Sequence, residues 1–269
     1  MKIKQSPRVF YKNNPLVEVL CQIRFDRVLS LVNSAPEAFQ RKVSDKYPHL
    51  KVEQVANFQV TFGGGQALEN SAQAAAPPIY HFFSKDRTFK VSVNAEFLTV
   101  GCEVYERWEI FRESVLEVVN GFLEIYPEAV PRRVGLRYKD LIVRESLGLT
   151  GVPWSKLLTP FVAGIFSVDD FFEMPPTLED EGKIQQAAQA TLELDECGLL
   201  VQSALLRSSD GKAQSAFLID SDFFRESPRY ELSNASIPEN LEALHSNADA
   251  LFRRCITEVL HHALGPKES

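Results

Sequence analysis

Apolar and polar positions alternate along much of this chain, and the alternation predicts most of its elements. In "NPLVEVLCQIRF", residues 14–25, Val17, Val19, Cys21, Ile23 and Phe25 share one phase; Leu16, Glu18, Leu20, Gln22 and Arg24 share the other. A period of two is the signature of a strand. Apolar residues on both phases suit an interior position in a sheet, held between strands that come later in the chain. A short helix is expected in "SAPEAFQRKVSDKY", with Ser34 as cap and Pro36 in the first turn. Alternation returns through Phe58, Val60 and Phe62, then in "IYHFFS", "RTFKVSVNA" and "FLTVGCEVY". From about Glu106 to Tyr126 the period lengthens. Trp108, Phe111, Val115, Val118, Phe122 and Ile125 recur at three- and four-residue steps, one face of an amphipathic helix that Pro127 and Pro131 stop.

The second half runs through the same kinds of element. "RRVGLRYKDLIV" reads as a strand, "PWSKLLTPFVAGIF" as a short helix, and three further strands follow in "KIQQAAQATLELDE", "CGLLVQSALLRS" and "AQSAFLIDSDFF", with "SSDGK" as the hairpin turn between the last two. A final helix is expected from near Ser236, with Pro238 in its first turn and Glu239 completing a capping box, as far as about Leu264. Leu241, Leu244, Ala248, Leu251, Cys255 and Val259 form its stripe. The expected fold is α+β: antiparallel sheets covered by two long amphipathic helices, in two related halves, 1–145 and 146–269, able to pack as one domain. Residues 63–78, "GGGQALENSAQAAAPP", have no period and read as a mobile loop. Their three glycines lack the Gly-Lys-Ser/Thr of a phosphate loop.

Composition narrows the classes. The chain has 269 residues, 45% hydrophobic and 24% charged, which is ordinary for a globular protein. Its net charge of -7 gives no general field to draw nucleic acid or anionic lipid. No apolar run reaches the ~20 residues of a membrane span, and "MKIKQSPRVFYKNN" lacks the apolar core of a signal peptide. Cys21, Cys102, Cys197 and Cys255 are too far apart in sequence for metal-ligand spacing and are expected as small buried hydrophobes in a reducing cytoplasm.

Four segments together, "NPLVEVLCQIRF", "RRVGLRYKDLIV", "FLIDSDFF" and "LEALHSNADALFRRCITEVL", resemble a sporadically distributed family of bacterial proteins of about this length. The resemblance covers nearly the whole chain. It implies a bacterial, cytoplasmic protein and carries no catalytic residues to transfer. A patchy distribution fits antiviral defence or toxin control.

The basic strand carries the clearest candidate chemistry. Arg133, Arg137 and Lys139 share one face, opposite Val134, Leu136, Tyr138 and Ile142. Three cations in a row can hold a phosphate backbone or an acidic partner, or be neutralised by carboxylates on neighbouring strands. Arg24, near the end of its strand, can reach a carboxylate or the sheet's edge. Asp220 and Asp222 share a strand face, as do Glu193 and Asp195, and pairs of this kind can hold Mg²⁺. No further carboxylate signature accompanies them, so they read as solvated strand ends and no metal or cofactor is expected. The acidic "PPTLEDEGK" reads as a solvated loop able to dock a basic partner. His49, His81, His245, His261 and His262 belong to no H-E-x-x-H, and there is no G-x-S-x-G. The leading expectation is a partner-binding or regulatory protein without chemistry of its own, its partner another protein and not a membrane. The alternatives are RNA or DNA binding through strand 131–144, and a small-molecule binder or enzyme with a pocket between sheet and helix. A basic groove would favour the second reading, a deep cavity with converging polar groups the third.

Overall fold

The computed structural model describes residues 1–32, 34–54, 77–168, 172–174, 176–207 and 215–268. The expected strand through Phe58, Val60 and Phe62, the loop 63–78 except Pro77 and Pro78, and the "SSDGK" turn lie outside the described residues. The strands are β1 (Val9–Tyr11), β2 (Leu16–Phe25), β3 (His49–Glu53), β4 (Ile79–Phe83), β5 (Phe89–Val93), β6 (Phe97–Cys102), β7 (Pro131–Val143), β8 (Ala187–Glu193), β9 (Gly198–Arg207), β10 (Ser215–Glu226) and β11 (Pro266–Glu268). The α-helices are α1 (Leu29–Val32), α2 (Glu37–Val43), α3 (Trp108–Ile125), α4 (Trp154–Leu157), α5 (Pro160–Ala163), α6 (Ile237–Cys255) and α7 (Glu258–Ala263).

All strands but β1 and β11 form one nine-stranded antiparallel sheet, in the order β3-β4-β5-β6-β2-β7-β10-β9-β8. β2 lies inside it between β6 and β7. Read outward from the centre, the order is β2-β6-β5-β4-β3 on one side and β7-β10-β9-β8 on the other. Each half is thus an inner strand, short helices, a meander returning to that strand, and a long helix. The strands of both halves belong to one sheet, joined where β7 pairs with β2.

One face of the sheet is buried. Val19, Cys21, Ile23 and Phe25 of β2 lie in line with Val134 and Leu136 of β7 and Ile219 and Phe223 of β10, all at or below 6% exposure. α6 packs over β7 and β10, α3 packs over β6, and α2 backs α3. Phe25, Phe39 and Phe122 tie the sheet, α2 and α3 together, with ring centroids 5.3 and 5.5 Å apart. Among the described residues, no helix is long and apolar enough to cross a membrane.

Several boundaries differ from the expected ones. Ser34 does not cap α2, whose N-cap position is Pro36. "PWSKLLTPFVAGIF" forms two short helices and a 3₁₀ turn, not one helix. Pro160 disfavours helical geometry at the preceding residue, and Leu158 and Thr159 are extended there. The capping box lies one turn earlier than expected. Ser233 and Ser236 exchange side-chain and backbone bonds, and a 3₁₀ turn leads into α6. The final helix also breaks at Ile256, which is extended and bridges Leu158; Thr257 then caps α7.

Candidate functional site

On the open face of the sheet, the basic row meets an acidic one. Arg133 bonds Asp222 at 2.7 Å, Arg137 holds Asp220 through two nitrogens at 2.7 and 2.5 Å, and Lys139 pairs with Glu18. The register dictates this. Lys139 stands between Glu18 on β2 and Asp220 on β10, and Arg137 stands opposite Asp222. Arg133 lies across Gly135, where a Cβ would come within 2.5 Å of its guanidinium, and over the ring of Phe224 at 4.5 Å. A side chain at position 135 would push Arg133 off both partners. Arg24 is exposed, stands opposite Arg133 in the register, and has no ion-pair partner among the described residues. Arg133, Arg137 and Lys139 therefore form a neutralised mosaic, not a basic groove, and Arg24 stands outside it. The carboxylate pairs are equally committed. Asp220 and Asp222 serve the arginines, Glu193 bonds Arg229 at 2.9 Å, and Asp195 bonds the amino group of Met1 at 2.6 Å. Among the described residues no cluster of His, Cys, Asp and Glu could hold a metal ion.

The other face holds a cleft. It lies between the buried sheet face, α6, the segment before α3, and the N-terminal segment that includes β1, and its cavity volume is about 130 Å³. The N-terminal segment roofs it. Arg8 reaches Glu109 of α3 at 2.7 Å, Arg254 of α6 donates to the carbonyls of Lys4 and Gln5, and β1 pairs with β11. Tyr11 packs edge-on against Phe252 at 5.8 Å.

Asp140 is the unusual member of this cleft. It lies on the buried phase of β7, in line with Ile219 and Leu16, and is 7% exposed. Its carboxyl has no hydrogen bond or ion pair among the described residues. Burial, reinforced by the negative charges of Asp220 and Asp249, pushes its pKa up to about 8. The hydroxyls of Ser221 and Tyr105, which also line the cleft, have no partner among the described residues either. The neighbouring groups are spoken for. The Tyr138 hydroxyl meets Nδ1 of His245 and the Tyr11 hydroxyl meets Nδ1 of His261, each at 2.8 Å. His245 also stacks on Trp108 at 4.1 Å, and burial lowers its pKa to about 4, so it is neutral at pH 7.

The apolar phase expected for β7, Val134, Leu136, Tyr138 and Ile142, leaves out Asp140, which occupies the same phase. A carboxylate on a buried strand phase is the signal that could have found the cleft. The roof had no such signal, because residues 1–8 carry no periodic pattern.

No family model and no curated protein matches this chain. A solved structure described as "KH domains" aligns with 97% of this chain and 90% of its own, at 8% identity and a TM-score of 0.27. At that score the likeness carries no argument.

Proposed function

We propose that this protein binds a small molecule in the cleft between β7, β10 and α6. The observation that supports the reading is Asp140, a carboxyl on a buried strand phase that faces the cleft with no protein partner among the described residues, beside two hydroxyls in the same state. Polar groups that line a cleft without protein partners are hydrogen-bonded by water, or by a ligand that takes the water's place. The enclosed space suits a compact ligand, and apolar walls with a few converging polar groups are the common form of such sites. The test is thermal unfolding of the purified protein against a library of small metabolites. A ligand at 100 times its Kd stabilises by about 2.7 kcal/mol, a shift of roughly 5–10 °C for a chain of this size. Val9→Trp, which fills the cleft from its outer wall, should abolish the shift. If no compound produces a shift that this substitution removes, the reading falls.

Edge strand β3 favours a second reading, a protein partner. All five of its residues are exposed, Leu50 and Val52 at 44% each. Among the described residues no strand pairs with its outer edge, and an open edge with apolar side chains can accept a strand from another chain. A partner that co-purifies with the wild type and is lost with Val52→Lys would support this second reading.

A further inference from the structure

Resting on the reading of the cleft as a ligand site, we infer that its ligand is a compact organic cation, a small molecule whose ammonium group lies against Asp140. The argument is a balance of donors and acceptors. The two cations of the cleft are already engaged: Arg8 holds Glu109, and Arg253 pairs with Glu258 and donates to the Ile256 carbonyl at 3.4 Å. What remains uncommitted is acidic or can accept a hydrogen bond, the hydroxyls being able to donate as well. Asp140 is one such group, with the hydroxyls of Ser221 and Tyr105. Asp249 adds charge of the same sign, held only at 3.9 Å from Arg8 and from His245. Glu106 at the wall is a third carboxylate. A ligand that satisfies this set brings N–H donors and a positive charge. Phe10, Tyr11, Tyr105, Tyr138 and Phe252 also line the cleft, and aromatic rings attract cations; Phe10 already carries the Arg8 guanidinium over its ring at 4.8 Å.

Charge balance gives the binding a second signature. In the empty cleft at pH 7 the Asp140 carboxyl is mostly protonated. An ammonium ion seated against it favours the carboxylate, so the carboxyl proton leaves to the buffer as the ion pair forms. The charged and titratable groups facing Asp140 are Arg8 and Tyr11 from the roof, Tyr105 and Glu106 from the segment before α3, and Tyr138 on its own strand. α6 contributes Asp249, Arg253 and Cys255, and Asp220 acts through the sheet. Asp140, pushed up to about 8, carries a proton at pH 7 that the ion pair releases.

The experiment is a ligand-observed NMR screen of size-matched primary amines, alcohols and carboxylates. It is followed by titration calorimetry at pH 7 in buffers of different ionisation enthalpy. The expected result is that amines bind, that binding is lost with Val9→Trp and weakened about tenfold or more by Asp140→Asn, and that the wild type releases close to one proton per amine. Alcohols or carboxylates that bind, are blocked by Val9→Trp and release no proton would overturn the cation while leaving the cleft a ligand site. Amine binding that survives Val9→Trp would overturn both. Asn is isosteric with the protonated carboxyl, and proton release is measured on the wild type, so a folding defect in the variant would not rescue or sink the inference.

Discussion

Asp140 stands between Tyr138 and Ile142 on the phase of β7 that carries buried side chains from Val134 to Ile142. A carboxylate there costs stability whenever it is charged. Its folded pKa of about 8 lies above the unfolded value of about 3.9, so between these values the folded chain holds more protons than the unfolded one. Stability therefore falls as pH rises through that window and levels off above it. At about 1.4 kcal/mol per unit the loss is on the order of 5 kcal/mol at most, less where water enters the cleft. His245 acts in the opposite sense. Its folded value, lowered to about 4, makes stability fall as pH drops from about 6.5 toward 4. The two slopes oppose each other below about pH 6.5, and Asp140 acts alone above it. Denaturant titrations of wild type and Asp140→Asn between pH 5 and 9 should show the wild type losing stability from about pH 6.5 to 8 and the variant staying flat there. Equal slopes in the two proteins would show that Asp140 is paired or solvated in the folded state.

At the scale of elements, the inner strands and the long helices follow from period alone. The stripe of α3 is the expected one, with Trp108, Phe111, Val115, Val118 and Phe122 all buried. β2 is interior because its backbone pairs with β6 along one edge and with β7 along the other. The end of the last helix was not legible, because Cys255 and Val259 continue the heptad-like spacing across the break. A tertiary contact decides it: Ile256 turns out to bridge Leu158, and Thr257 Oγ1 donates to the Lys156 carbonyl at 2.7 Å. Local propensity does not encode a partner a hundred residues away. Within α6, Leu251 is 5% exposed and also lines the cleft. Leu251→Ala should cost 2–5 kcal/mol as a core deletion, and about 2, toward the lower end, because part of its surface already faces open space. Chemical denaturation checks this; a loss near zero would mean that α6 does not seal the core.

At the scale of the whole molecule, the charge pattern of the open face comes from strand order, which the sequence does not state. Both rows could be read in the chain: Arg133, Arg137 and Lys139 on one strand, Asp220 and Asp222 on another. That they stand side by side depends on β7 pairing with β10, a register set by the packing of distant strands. The same order explains why an acidic chain tolerates a basic strand at its centre. It also makes a prediction that separates a structural ion pair from a phosphate contact. Asp220 is 5% exposed and Arg137 supplies both of its side-chain bonds, while the Arg137 side chain is 38% exposed. Arg137→Gln leaves that carboxylate buried with its bonds unmade, a loss of about 1–3 kcal/mol, moderated by solvent reaching the arginine. Asp220→Asn in the same chain removes the stranded charge, so the double variant should recover part of the loss, and a double-mutant cycle reads the coupling directly. Mixed oligonucleotides should show no measurable binding to the wild type at physiological salt, because no contact in this row is available to release counterions. Were Arg137 instead a phosphate contact, the single variant would keep its stability and the wild type would bind oligonucleotides with an affinity that falls steeply with salt. Those two results together would restore the nucleic-acid reading of the open face.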